Sequence, residues 1–371
     1  MKKYLFSELI EEITELNAEL FYGLDDIVGV TIEKGLIPTI ANLTKTELNK
    51  FYIVKPDTFV FNPRTHGVRL GMGYNDTENT YITSWNNVAF KVKEEARQLL
   101  NPEYLWLYFN RTEWDRETNY HAWGSSTIVF SWNTFRNLSI KLPEKEAQDK
   151  IVRQYKVIKN RIKLKKQIND NLEAQANAIF SSSAPDFIDL QPIHNFGTVI
   201  TGKTPPTSVA EYYGNDIPFI KTPDMHGNVY ITSSEGSLSK EGADSQKNKY
   251  IPENTVVVAC IGANAGEVAL TSYIAQTNQQ INAIISKYPC FLYFSIKAHT
   301  AELRTLGEGS STMININKTS FENYEIPTPS DNTLQQLEHK LSIIFSAILH
   351  NLQEIDRLNE TKDLLVTQLS R

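Results

Sequence analysis

Two stretches of this chain, 186 positions apart, carry the same apolar seam, and that duplication limits the possible folds more than any other feature. In the first stretch Ile151, Tyr155, Ile158, Ile162, Leu172, Ala176 and Ile179 follow the 4-3 spacing of a helix that buries one stripe. In the second, Leu337, Leu341, Ile344, Ile348, Leu358 and Leu365 stand at the corresponding positions. Polar residues Lys165 and Asn169 interrupt the first seam, and Lys165 maps onto Asn351 in the second. One such helix alone would be read as packing on its own globular domain. Two seams in one register favour pairing with each other, because a polar residue inside a seam costs stability while fixing register. Leu172 and Leu358 hold equivalent seam positions and are expected to meet across that pair.

The repeat extends beyond the helices. GSST at 124–127 returns at 309–312, and Ile140-Lys141-Leu142-Pro143 aligns with Ile326-Pro327-Thr328-Pro329. Upstream, KPDTFVFN (55–62) resembles IPENTVVVA (251–259). The predicted organisation is a globular domain over 1–143, a helix over 144–182, a second domain over 183–330 and a helix over 331–371. The aperiodic segment SSSAPDFIDLQP (181–192) marks the middle boundary. Each domain reads as mixed α and β. Short β-branched strands (FYIVKP, DTFVFN, NTVVVACIG, QQINAIIS) are punctuated by turns, and each domain has one short aromatic helix (NPEYLWLYFN, PCFLYFSIKA). The fold class is therefore α+β: two mixed domains separated by two long helices in an antiparallel coiled coil with pseudo-twofold symmetry. A helix of about 37 residues spans roughly 55 Å, long enough to act as a spacer.

Composition narrows the class of protein. A chain of 371 residues suits two or three domains, and 41% hydrophobic residues suffice for packed cores. No apolar run fits a signal peptide or a membrane span, so a soluble cytoplasmic protein is expected. Cys260 and Cys290 are the only cysteines, too few for a disulfide framework or a cysteine metal cluster. The net charge of −6 is unusual for a nucleic-acid binder. Lys and Arg stand against Asp and Glu as 15 to 18 over residues 1–143, and 9 to 5 over 144–182. The ratios are 9 to 14 over 183–330 and 4 to 6 over 331–371, so only the first helical stretch is basic.

Catalytic motifs fail on their context. ITGKTPP has the Gly-Lys-Thr of a phosphate loop without its first glycine or the following helix. GANAGEVAL (262–270) lacks the spacing of a dinucleotide turn. No NPPY- or DPPY-type segment is present to hold a flipped adenine, and the seven histidines have no metal-ligand spacing. What remains is a set of loops rich in hydrogen-bond donors. Arg64, His66 and Arg69 lie in NPRTHGVRLGMG, Lys203 and Thr204 in TGKTPP, and Lys221 in FIKTPDMHG. Ser125, Ser126 and Thr127 occupy the first GSST segment and Ser310, Ser311 and Thr312 the second, with Arg304 just upstream. Arg and Lys can read guanine edges, and hydroxyls reach bases or phosphates. Each loop alone would pass for a solvated turn; their recurrence in both repeats is the argument for recognition.

In these residues the chain resembles the specificity subunit of type I restriction-modification systems. GTVITGKTPPTSVAEYYGNDIPFIK is similar to the usual opening of a target-recognition domain in that family, and GEGSSTMININKTSFENYEIPTP to its usual close. LDDIVGVTIEKGLIP, KPDTFVFNPRTHGVRLGMG and GSSTIVFSWNTFRNLSIKLP resemble a second variant of the same domain. Where the family often has a Glu-Gln pair after the closing proline, this chain has EAQ (146–148) and LQQ (334–336). The resemblance implies a non-catalytic subunit that reads two halves of an interrupted target in double-stranded DNA. DNA adenine methyltransferase subunits using S-adenosylmethionine, and a restriction motor-nuclease using ATP and Mg, would be its partners. It implies no cofactor bound by this chain. The competing reading is a coiled-coil scaffold carrying two protein-binding modules, which the net charge encourages.

The duplication carries a prediction. Residues 183–371 contain one domain and one seam, so the half-chain exposes a stripe that its own twin can cover. Supplied with the methyltransferase, it is expected to direct methylation to an interrupted palindrome, read by mapping modified adenines. A soluble dimeric half that modifies a non-palindromic site would rule out the twofold reading.

Overall fold

The computed structural model describes residues 1–39, 46–65, 69–124, 128–308 and 314–369. The chain forms two compact units, Met1–Asn160 with Glu360–Arg371, and Arg161–Asn359. Each long helix, Lys145–Ser183 and Asp331–Gln368, contributes to both units.

The first unit is built on an antiparallel four-stranded sheet in the order Ile10–Glu12, Val88–Val92, Thr58–Phe61, Met72–Tyr74. Aromatic side chains from this sheet and from two helices, Pro102–Phe109 and Thr112–His121, fill its core. Phe6, Phe90, Trp114 and Phe130 surround Phe135, with the Phe6 and Phe135 rings 4.9 Å apart edge to face, a geometry favoured by the ring quadrupole. Lys2–Leu5 pairs antiparallel with Ser139–Leu142, which leads the chain into the first long helix.

The second unit repeats the plan. Asp189–Pro192 pairs antiparallel with Glu325–Thr328 ahead of the second long helix. A five-stranded sheet runs in the order Gly197–Thr201, Ile281–Ser286, Val256–Ala259, Val268–Thr271, Tyr230–Ile231, and only its last pairing is parallel. A smaller sheet sets Tyr213–Ile220 between Gly236–Leu238 and Gln276–Thr277. The similarity of KPDTFVFN to IPENTVVVA has a conformational basis. Asp57 and Asn254 both adopt positive φ, 61° and 59°, in the turn that feeds an equivalent buried strand. Asp and Asn tolerate that left-handed conformation better than most residues with a side chain.

Each long helix is fastened to its globular domain at the start of the short aromatic helix. In the first unit Gln148 is fully buried; its Oε1 accepts from the Asn101 backbone at 3.0 Å, and its Nε2 donates to the carbonyls of Leu99 and Pro143. Asn101 caps Pro102–Phe109 through its own side chain and donates to Asp149. In the second unit the residue 186 positions after Gln148 is Leu334, and the fastening shifts to Glu338. Its carboxylate accepts from the backbone amides of Cys290 and Phe291, at 3.1 and 2.8 Å, at the N-terminus of Pro289–Ala298.

The seams divide their work along the helices. Leu337, Leu341 and Ile348, with Phe345, lie in the core of the second unit beside Val256, Val258 and Ile284, and Leu172, Ala176 and Ile179 pack on the same cluster. Ile151 and Tyr155 pack on the first core, where Leu369 joins them. Ile158 and Leu365 line one groove between the helices. Within the second unit the helices run antiparallel and meet through polar groups. Lys165 Nζ lies 2.7 Å from Asn351 Oδ1 and 2.8 Å from Glu354 Oε2, and Asn351 donates to Asn169 at 2.8 Å. Arg161 pairs with Glu354, and Ile162 is half-buried one residue on.

The α+β expectation and the packing of the two long helices hold. The preference for helix-on-helix pairing over packing on a domain was too exclusive, since the helix ends do the latter. The expected meeting of Leu172 with Leu358 is corrected. In an antiparallel pair one helix advances as the other recedes, so only the central position can face its own repeat counterpart, and here that is Lys165 against Asn351. Leu172, seven residues beyond Lys165, is level with Ile344; Leu358 lies fourteen residues from Ile344, about 21 Å along the axis.

Burial raises the Glu338 carboxyl above its ordinary 4.5, while the two backbone amides oppose that shift. The folded state thus binds this proton more tightly than the unfolded state. Its stabilising share is complete below pH 4.5 and is lost as pH rises through the folded value. Glu338→Gln is expected to flatten that pH dependence in denaturation curves of the whole chain. Glu338→Ala orphans two buried amides and should cost about 1–3 kcal/mol for each at any pH.

Candidate nucleic-acid interface

In the second unit the recognition candidates stand where strands end. Thr201 closes a strand of the large sheet, and Gly202 follows at a point where a Cβ would meet the Asn278 carbonyl at 2.1 Å. Only glycine permits this approach. The Lys203 amide donates to the Thr277 carbonyl at 2.9 Å, and its own carbonyl accepts from the buried Gln246 side chain at 2.8 Å. The backbone is therefore pinned while the lysine side chain is exposed. Thr204 Oγ1 donates to Gln279 Oε1 at 2.7 Å. Lys221 follows the end of Tyr213–Ile220, with its amide held by Asp224 at 2.8 Å and its side chain exposed.

Between these two lysine loops runs Thr277-Asn278-Gln279-Gln280. The Asn278 amide donates to the Ile220 carbonyl at 3.1 Å, and Thr222 Oγ1 donates to Gln280 Oε1 at 3.4 Å. Lys203, Thr204 and Lys221 are thus gathered around one polar segment. The sequence reading missed Thr222, Asn278, Gln279 and Gln280. For the three amides the signal is the run Asn278-Gln279-Gln280 ahead of the strand INAIIS; Thr222 carries none. Arg304 is differently placed: its Nη1 donates to the carbonyls of Ala263 and Ala265, at 2.8 and 2.9 Å. It braces the turn Gly262–Gly266, whose two glycines take positive φ. Ser310, Ser311 and Thr312 lie outside the described residues.

In the first unit Arg64 is exposed on a two-residue strand, Arg64–Thr65, that pairs antiparallel with Ile128–Val129. His66 and the triplet Ser125, Ser126 and Thr127 lie outside the described residues, but Thr65 and Ile128, which flank them, are ladder partners. Arg69 is half-exposed and its Nε lies 3.8 Å from Asp115 Oδ2. Asp115 is shared with a residue that sequence reading overlooked: Lys34 Nζ lies 2.7 Å from Oδ1 and also donates to the Phe109 carbonyl. Burial pulls the Lys34 ammonium below its usual range, and Asp115 opposes the shift. Arg69 therefore presents its charge beside a carboxylate that is already paired.

Among the described residues no cluster of three or more His, Cys, Asp or Glu side chains could hold a metal ion. The buried thiols of Cys260 and Cys290 are pushed upward by burial, Cys260 to about 12, which makes them poor nucleophiles. The arrangement supplies donors on rigid strand ends, suited to binding an acceptor-rich surface.

Comparison with known proteins agrees with this chemistry. The family described as "Type I restriction modification DNA specificity domain" matches residues 12–174 and again 190–360. The HindI specificity subunit of Haemophilus influenzae is 30% identical, over 80% of this chain and 81% of that protein. The EcoR124I/EcoR124II specificity subunit of Escherichia coli is 22% identical, over 86% and 88%. The crystal structure of a type I restriction-modification S subunit from M. genitalium superposes with a TM-score of 0.62, at 13% identity, covering 99% of this chain and 95% of that one.

Lys203 offers a clean test, because truncating its exposed side chain leaves the pinned backbone in place. Lys203→Ala is expected to reduce the slope of log DNA affinity against log salt by about one. An unchanged slope would remove Lys203 from the phosphate contacts.

Proposed function

Since the chain belongs to the family of type I restriction-modification DNA specificity subunits, a non-catalytic class, we propose that it reads an interrupted, two-part target in double-stranded DNA. Each globular domain reads one part, and the paired long helices set the gap between the parts. The observation that carries this reading is the repeat itself: two related domains, each presenting cationic side chains beside short strands. Lys203, Thr204 and Lys221 act in one half. Arg64 and Arg69, with His66 and the first Ser-Ser-Thr triplet, act in the other. Arg304 acts indirectly, by bracing the turn Gly262–Gly266.

The chemistry belongs to partners. DNA adenine methyltransferase subunits extrude and methylate the base with S-adenosylmethionine, because an adenine inside a stacked duplex is out of reach. A motor-nuclease subunit restricts unmodified DNA with ATP and Mg. The acidic balance of both domains fits this division of labour, since phosphate neutralisation then falls largely to the partners. Cytoplasmic action is part of the proposal; among the described residues no helix is long and apolar enough to cross a membrane.

The test is a genome-wide map of methylated adenines in cells with and without this gene. Loss of methylation at one interrupted motif is the expected result. A map indifferent to the gene would favour the protein-binding scaffold instead. The isolated chain should bind DNA weakly and gain affinity and specificity together when the methyltransferase is added.

A further inference from the structure

We infer that Trp123, in the first unit, is a DNA-contacting residue that stacks on the bases of the target, held for that purpose on a small rigid ribbon; the inference rests on the DNA-reading function proposed above. Large aromatic side chains are normally buried, and most in this unit are buried or partly so, with Phe21, Trp85, Tyr120 and Trp123 exposed. Trp123 is 84% exposed, and Tyr120, one turn earlier at the end of a helix, is 82% exposed. The exposure does not come from a loose backbone. The Trp123 amide donates to the Val129 carbonyl at 3.0 Å, and the Val129 amide returns the bond at 2.8 Å.

Val129 is paired on its other side with Arg64. Laterally aligned residues of a ladder project to the same face, so Trp123, Val129 and Arg64 form a row: an indole, a partly exposed aliphatic patch and a guanidinium. On the neighbouring rung Thr65 is buried and Ile128 partly exposed, so the open side of this row is marked by Trp123 and Arg64. The described ribbon residues 62–65, 120–124 and 128–130 include no Asp or Glu, in a domain that is otherwise acid-rich. A cationic edge beside an exposed aromatic fits a polyanion that also offers π-faces. Stacking of a base on an aromatic side chain is tolerant of sequence and strong enough to matter. Arg64 would then anchor a phosphate while Trp123 engages an unstacked or groove-exposed base.

The experiment uses the complex with methyltransferase and a duplex bearing the mapped target, with 2-aminopurine placed at each position in turn. Trp123→Ala is expected to weaken target binding roughly ten- to a hundredfold without changing the salt slope, because no charge is removed. It should also alter the 2-aminopurine emission at one or two adjacent positions. Trp123→Phe should retain most of the affinity, and Arg64→Ala should lower the slope by about one instead. Wild-type affinity and emission in Trp123→Ala would overturn the inference while leaving the methylation map, and the DNA-reading function, intact. Loss of methyltransferase association with undiminished DNA binding would also overturn it, assigning the face to a protein partner. A map that does not depend on the gene would instead remove the function on which the inference rests.

Discussion

Each long helix leaves its own globular domain in one fixed direction. That direction is set by a buried polar side chain placed against the N-terminus of a short aromatic helix. The first amides of any helix lack intrahelical acceptors, so a buried helix start must be satisfied from outside. Gln148 meets this need by bonding Asn101, the capping residue, and by closing two neighbouring carbonyls. Glu338 meets it directly, with a carboxylate on the amides of Cys290 and Phe291. A hydrophobic contact could hold the same surfaces together yet allow them to slide. Hydrogen bonds to named backbone groups do not.

The helices face a second constraint where they pair. Apolar seams alone would tolerate a shift by a heptad, because every heptad offers similar knobs and holes. The polar cluster of Lys165, Asn169, Asn351 and Glu354 does not tolerate it, since a shift leaves half-buried charges and amides without partners. The position where the repeat meets its own counterpart is therefore the least apolar point of the seam. This exchanges stability for register.

The loops follow the same economy of fixed backbone and free side chain. Lys203 and Trp123 sit in different units and use different ladders, yet each is anchored by main-chain bonds and carries an exposed side chain. Such placement limits the conformational entropy lost on binding, because only side-chain rotamers remain to be ordered. Arg304 shows the opposite use of a cation: its guanidinium is spent on backbone carbonyls, so it shapes a turn. Sequence position alone could not separate these roles.

The sequence by itself determined the duplicated plan, the two seams, the short β-branched strands and the two aromatic helices. All of these are local patterns, readable because helix and strand periods place side chains on faces within a few residues. It also pointed to Lys203, Thr204 and Lys221, because turn residues beside strand runs announce exposed loops. Only the tertiary structure decided that Leu172 is level with Ile344 and far from Leu358, because pairing direction is a property of two helices and of neither alone. It alone gathered Thr222 and the amides 278–280 between the two lysine loops, joined Lys34 to Asp115, and set Trp123 beside Arg64 across Val129. These adjacencies arise from strand order and from hydrogen bonds between residues tens of positions apart, for which a linear chain has no local period.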